Sequence, residues 1–154
     1  MSKVYLGLGT NLGDKEANIE TAVQYINELV GKVVSQSALY VTEPWGFAST
    51  NTFINIVLCA ETPLPPREVL NLTKQIERQM GRTHKSVNRE YKDRIIDIDI
   101  LLFDDMILNE ADLVIPHPLM TERLFVMQPL AEIAPQLVHP ALHLTISQLL
   151  ESLQ

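Results

Sequence analysis

Arg94-Ile95-Ile96-Asp97-Ile98-Asp99-Ile100-Leu101-Leu102-Phe103 is the most hydrophobic β-branched run in the chain, and such a run is predicted to be a buried strand. Strand side chains alternate between faces, so Asp97 and Asp99 should project together, with Ile95 and Leu101 beside them. Two residues of rise separate these carboxylates by roughly 6–7 Å at Cα. Left uncompensated, the pair would repel and lose hydration. Either the two lie on a solvated face or pair with neighbouring Lys and Arg, or they hold a cation. Their place between large apolar residues, directly after a basic segment, favours the cation. Hard carboxylate oxygens suit Mg²⁺, with water and phosphate completing its shell.

The charge distribution around this strand is uneven. The net charge of the 154-residue chain is −7, which argues against a general nucleic-acid partner. Yet seven of the twelve Lys and Arg fall between positions 74 and 94: Lys74, Arg78, Arg82, Lys85, Arg89, Lys92 and Arg94. Only Glu77, Glu90 and Asp93 oppose them there. A solvated helix face followed by a charged loop would explain this. A positive segment leading into two carboxylates also fits a small polyanion carried with a metal.

Length and composition predict a single domain over residues 1–154 with a real core. No apolar run approaches the roughly 20 residues of a membrane-spanning helix. Met1-Ser2-Lys3-Val4-Tyr5 enters a strand without the apolar region of a signal peptide. The lone Cys59 lies in a strand-like run and is expected to be a buried, inert thiol. A cytoplasmic protein with no membrane partner is the expectation.

Working outward, Val4-Tyr5-Leu6-Gly7-Leu8-Gly9 reads as a first strand, and Thr10-Asn11-Leu12-Gly13-Asp14 as a turn with capping residues. The dinucleotide fingerprint needs glycine where Leu12 stands, so that reading is rejected. The glycines are assigned to close packing and the strand-to-helix turn. A helix over 15–30 should bury Ile19, Ala22, Val23, Ile26, Leu29 and Val30, with Gly31 as its stop. A strand is predicted over 32–41, a long loop over 42–51, and a strand over 53–60. Pro65-Pro66 opens a helix striped by Val69, Leu72, Ile76 and Met80 and ended by Gly81. Residues 82–93 lack a period and are read as a mobile loop. After the aspartate strand come apolar pieces at 106–108 and 113–115, the break Pro116-His117-Pro118, a short helix containing Arg123, Phe125 and Met127, and a helix over 145–153. The order β-α-β-β-α-β predicts an α+β, ferredoxin-like βαββαβ sandwich with additional C-terminal strands and short helices. Both long helices would cover one sheet face, leaving the other open to a ligand.

With these residues assembled, the chain resembles the 6-hydroxymethyl-7,8-dihydropterin pyrophosphokinase family. The resemblance rests on an ordered set: Leu6-Gly7-Leu8-Gly9-Thr10-Asn11-Leu12-Gly13-Asp14, Tyr40-Val41-Thr42-Glu43-Pro44-Trp45-Gly46, Phe53-Ile54-Asn55, Ile76-Glu77, Gly81-Arg82, the aspartate strand itself, and Ile115-Pro116-His117-Pro118. It implies transfer of the β,γ-pyrophosphate of ATP to the pterin hydroxymethyl group in folate biosynthesis, with AMP released. Asp97 and Asp99 would match the family's ligands to two Mg²⁺ ions. Arg82 and Arg94 would serve catalysis by contacting phosphates, as planar guanidinium does well. Lys74, Glu77, His84, Tyr91, His117 and Arg123 would join them at the ATP. Taken alone, His117 reads as a turn residue between prolines.

For the pterin, the resemblance implies that Phe53 and Phe125 sandwich the ring and that Asn55 recognises its edge, since an amide offers both donor and acceptor. Thr42, Glu43 and Trp45 would add contacts. By themselves Phe53 and Phe125 read as core, and Asn55 equally well as a buried structural amide. The chain also departs from the family pattern. Arg89-Glu90-Tyr91-Lys92-Asp93-Arg94 replaces the usual Arg-Trp-Gly-Pro-Arg segment, with Tyr91 in the tryptophan's place, and the stretch from Gly81 to Arg94 is longer. His84 stands at a frequent arginine position and Glu43 at a frequent proline position. The expected enzyme is a monomer whose partners are ATP and the pterin, and closure of the 82–93 and Trp45 loops would exclude water. No general base is nominated. A metal-dependent nuclease or nucleotidyltransferase would instead require a third acidic ligand beside the pair. A non-catalytic binding module would tolerate loss of Asp97.

Overall fold

The structure, a computed structural model, describes residues 1–42, 52–81 and 95–154. Of the expected loops over 42–51 and 82–93 only Thr42 is described; Glu43, Trp45, Arg82, His84, Tyr91 and, just past the second loop, Arg94 lie outside the described residues. The elements in order are β1 (Ser2–Thr10), α1 (Lys15–Leu29), β2 (Lys32–Gln36), β3 (Tyr40–Thr42), β4 (Phe53–Thr62), α2 (Pro66–Gly81) and β5 (Asp97–Phe103). Behind them come β6 (Leu108–Glu110), β7 (Leu113–Ile115), a 3₁₀ turn (Met120–Glu122), α3 (Leu124–Ile133) and α4 (Ile146–Leu153). The fold is α+β. One antiparallel sheet runs in the order β2-β4-β1-β5, and β3 pairs with β4 beyond the end of β2.

Period-two alternation divides the sheet between two cores. Val4, Leu6 and Leu8 of β1 face α1 and α2, where Ile19, Ile26 and Ile76 are fully buried. Tyr5 faces the opposite way, with Val57 and Leu102, against Met127, Leu130 and Leu149 of α3 and α4. The second face is therefore not simply open: the C-terminal helices cover part of it. Cys59 is buried, as expected, and burial pushes its thiol pKa up.

Local sequence explains most boundaries. Asp14 caps α1 by accepting from the Ala17 N–H at 3.2 Å, and Gly13 takes φ 69 in the preceding turn. Of the predicted α1 stripe, Ile19, Ala22, Ile26 and Val30 are buried, Val23 is partly buried against the same core, and Leu29 is 38% exposed at the last turn. A capping box between Thr145 and Gln148 starts α4. The pieces predicted near 106–108 and 113–115 pair as the β6–β7 hairpin.

Three readings of the strands need correction. The single strand expected over 32–41 is split, because buried Ser37 breaks it. Its N–H donates to the Val57 carbonyl at 2.9 Å, while its Oγ accepts from the Val57 N–H at 3.0 Å. One residue thus satisfies both polar groups of Val57, and Ala38 turns off the ladder. The aspartate strand begins at Asp97, so the alternation does not reach back to Ile95, which packs on the α1–α2 side. Near its other end Tyr5 pairs with Leu102 but Leu6 with Ile100, making Leu101 the extra residue of a bulge. Leu101 and Leu102 consequently both face α3 and α4, while Phe103 returns to the other core.

Candidate active site

Three neighbouring strands build the site's floor. Gly9 of β1 pairs with Asn55 of β4 on one side and Asp97 of β5 on the other. Gly7 likewise lies between Val57 and Asp99. Directly paired residues share a face, so a strip without side chains runs along β1 between an amide and two carboxylates. Across two strand spacings the gap from Asn55 to Asp97 is roughly 10 Å at Cα, enough for a flat heterocycle.

A cavity of about 610 Å³ stands on this floor, with Phe53, Asn55 and Thr42 on one side and Arg123 and Phe125 from the start of α3 on another. The Asn55 Nδ2 donates to Thr42 Oγ1 at 3.1 Å, which sets the plane of the 7% exposed amide. Arg123 places its guanidinium 5.6 Å from the centre of the Phe125 ring. It thus borders the cavity of the aromatic pair, whereas the sequence reading put it with the nucleotide group.

Gly9 is the residue whose importance the sequence reading understated. A Cβ there would lie 2.8 Å from Asn55 Oδ1, closer than real contacts allow. The available signal was a glycine inside a strand, next to its end, where glycine marks close approach of another group. Gly9→Ala is expected to displace the Asn55 amide and weaken binding of a ring seated on this floor by about tenfold. Titration of the variant with a pterin checks this; unchanged affinity would contradict it.

A second cavity of about 290 Å³ lies on the α2 side of β5, bordered by Lys74, Asp99, Asp112 of the hairpin and His117. Asp99 lines both cavities, and Asp97 the first. His117 follows the cis Ile115–Pro116 bond, and its N–H donates to the Leu101 carbonyl at 2.9 Å. Its Nδ1 accepts from the Leu119 N–H at 3.2 Å, so a neutral ring carries its proton on Nε2. Burial, aided by the Arg123 charge, holds the His117 pKa below its ordinary value, with Asp97 pulling weakly the other way. The turn role and a donor role at Nε2 are compatible.

Glu77 is committed to the strand. Its Oε2 accepts from the Ile98 N–H at 2.7 Å, between the two aspartates, and its Oε1 lies 3.5 Å from Lys74 Nζ. Burial first, then the fields of Asp97 and Asp99, push its pKa up to about 7, against the Ile98 bond and Lys74. Among the described residues no three His, Cys, Asp or Glu side chains converge as a metal set.

The raised Glu77 pKa has a testable sign. Between about pH 4.5 and 7 the folded chain keeps a proton that the unfolded chain has lost, so stability falls as pH rises through that window. Glu77→Gln, which retains an acceptor for Ile98, is expected to flatten this slope and to gain on the order of 1–2 kcal/mol at pH 8 without added metal. Urea unfolding of both proteins at pH 5 and pH 8 is the check, and equal slopes would refute it.

The chain is similar to known proteins over most of its length. The family model for 7,8-dihydro-6-hydroxymethylpterin-pyrophosphokinase (HPPK) matches residues 5–135. A 2-amino-4-hydroxy-6-hydroxymethyldihydropteridine pyrophosphokinase from Porphyromonas gingivalis is 44% identical over 141 residues, covering 91% of this chain and 95% of the relative. One of the same name from Bacillus subtilis is 40% identical over 133 residues, covering 86% and 78%. The crystal structure of wild-type Plasmodium falciparum HPPK-DHPS superposes with a TM-score of 0.77 at 19% identity, covering 98% of this chain and 44% of that one. The chain therefore spans less than half of that larger protein, and the likeness there is one of fold.

Proposed function

This chain belongs to the 7,8-dihydro-6-hydroxymethylpterin-pyrophosphokinase family, and we infer from that membership that it transfers pyrophosphate from ATP to the hydroxymethyl group of 6-hydroxymethyl-7,8-dihydropterin, yielding the pterin diphosphate and AMP for folate biosynthesis. The observation that carries the reading is the shared wall at Asp99: a cavity lined by Phe53, Asn55 and Phe125 and a second cavity bordered by Lys74 and His117 meet at one carboxylate. The pterin occupies the first cavity, stacked by Phe53 and Phe125, with Asn55 and Thr42 at its edge. Glu43 and Trp45 are assigned to the same substrate by the family pattern. The triphosphate lies along β5 toward Lys74 and His117, whose Nε2 proton suits an anionic oxygen. Arg82, Arg94, His84 and Tyr91 are assigned there by the same pattern. Arg123, beside Phe125, sits where a cation can meet the transferred group.

The donor set fits Mg²⁺. Asp97 and Asp99 share a face, bring only hard oxygens, and stand opposite Gly9 and Gly7, which leave room for water and phosphate. Two ions held by this pair would neutralise the transferred group and align its oxygens. The pterin hydroxyl oxygen bonds to the β-phosphorus while the bond to the α,β-bridging oxygen breaks. AMP leaves, and one proton is released. Phe53 and Phe125 restrict the ring, Asn55 sets its in-plane orientation, and Glu77 anchors the backbone between the two carboxylates. Positioning of this kind supplies much of the acceleration in phosphoryl transfer.

On this reading residues 1–154 are one ferredoxin-like domain, supported by the antiparallel order β2-β4-β1-β5 with α1 and α2 on one face. The enzyme works as a cytoplasmic monomer, without nucleic-acid or membrane partners. No helix among the described residues is long and apolar enough to cross a membrane. Turnover of 6-hydroxymethyl-7,8-dihydropterin with ATP should require Mg²⁺ and stop on chelation. Undiminished product formation in excess chelator would reject the metal assignment.

A further inference from the structure

We propose that Glu132, at the far end of α3 from Phe125, is a positioning residue of the pterin site: it ties the short strand β3 to α3 and thereby fixes Thr42, which orients Asn55. This rests on the pterin assignment above.

The argument begins at the break after β2. Gln36 pairs with Leu58 and Tyr40 with Asn55, so residues 37–39 face only residues 56 and 57. Ser37 satisfies Val57, which leaves the Ala38 N–H turned off the sheet. Glu132 receives it, at 3.0 Å to Oε2 and 3.2 Å to Oε1. Tyr40 Oη then donates to Oε1 of the same carboxylate at 2.7 Å. That bond and the Glu132 charge hold the Tyr40 hydroxyl pKa above its ordinary value. An exposed carboxylate has water for its lone pairs, so donors converging on it from Ala38, just before β3, and from Tyr40, the first residue of β3, make a built contact.

β3 needs such support. It is three residues long and pairs with β4 alone. Tyr40 and Thr42 lie on the same face of β3, and their partners Asn55 and Phe53 share that face. Holding Tyr40 therefore holds Thr42, whose Oγ1 accepts from the Asn55 amide at 3.1 Å. The two walls of the cavity, α3 with Phe125 and β3–β4 with Asn55, are in this way joined through one carboxylate.

The test is equilibrium binding of 6-hydroxymethylpterin, the oxidised analogue, in the presence of Mg²⁺ and a non-hydrolysable ATP analogue so that no transfer occurs, together with steady-state kinetics of the full chain. Glu132→Ala is expected to weaken pterin binding about tenfold and to leave KM for ATP within about twofold. Glu132→Gln, whose carbonyl still accepts one donor, should recover most of the loss. In an Asn55→Ala background the Glu132 effect should vanish, which a merely stabilising residue would not show. Unchanged pterin affinity, equal weakening of both substrates, or full persistence of the loss without Asn55 would overturn the proposal. Should Glu132→Ala fail to fold, Tyr40→Phe, expected to weaken the pterin about threefold, gives the same decision. A wild-type chain that binds no pterin would overturn the site assignment and this inference together, whereas normal wild-type binding with an indifferent Glu132→Ala removes only the inference.

Discussion

Asp99→Ala is expected to lower kcat by at least about a thousandfold, because a carboxylate that would hold Mg²⁺ beside both substrates acts mainly in the transition state. Asp99 is singled out over Asp97 because it lines both cavities, while Asp97 lines the first alone. The loss should not come from unfolding. Asp97 and Asp99 both add to the field that raises the Glu77 pKa, so removing one carboxylate relieves that field. In metal-free buffer the variant should stay folded through the assay temperature, and it should bind pterin within a few-fold. Asp99→Asn preserves volume but not charge and should fail similarly. Retention of a tenth of kcat by either variant would contradict the assignment.

Gly31→Ala should have the largest effect on stability. A Cβ at this position would stand 2.1 Å from the Glu61 carbonyl oxygen, 2.8 Å from its carbon and 2.9 Å from the Thr62 Cα. All three are backbone atoms, so no rotamer change removes the clash. The surroundings are also tied down: fully buried Thr62 donates its hydroxyl to the Val30 carbonyl at 2.6 Å, and Lys32, the next residue, pairs with Glu61. Relief requires moving β2 away from β4, at a cost of roughly 3 kcal/mol or more, or about 10 °C in Tm for a domain of this size. Gly7→Ala is the contrasting case, since the atoms nearest to a Cβ there are those of the Leu101 side chain, at an ordinary 3.5–3.7 Å. Thermal melts of the two variants decide it; a Gly31→Ala melt within about 2 °C of wild type would show that the backbone gives way easily.

These cases mark what could be read from the chain alone. The alternation of Asp97, Ile98 and Asp99 is local, and the structure keeps it. The stripes of α1 and α2 and the capping at Asp14 are local as well. Gly31 was legible as a helix stop, but its closeness to Glu61 depends on a strand pairing thirty positions away. The Leu101 bulge, the split at Ser37 and the cover provided by α3 and α4 depend on partners in the same way. Asn55 could be read as structural or functional because both are true: Thr42 holds its amide while the amide borders the cavity. Glu77 is assigned to the ATP by motif, and its bond to the Ile98 backbone was not legible in the sequence. A side chain's commitments are set by the fold, and periodicity does not disclose them.

The central claim is the bond that is broken in ATP. Phosphorus NMR of a reaction containing the protein, Mg²⁺, ATP and 6-hydroxymethyl-7,8-dihydropterin reads that bond directly. AMP and the pterin diphosphate should appear in equal amounts, with ADP no higher than in a pterin-free control. Formation of ADP with a pterin monophosphate, or consumption of ATP that is indifferent to the pterin, would contradict it.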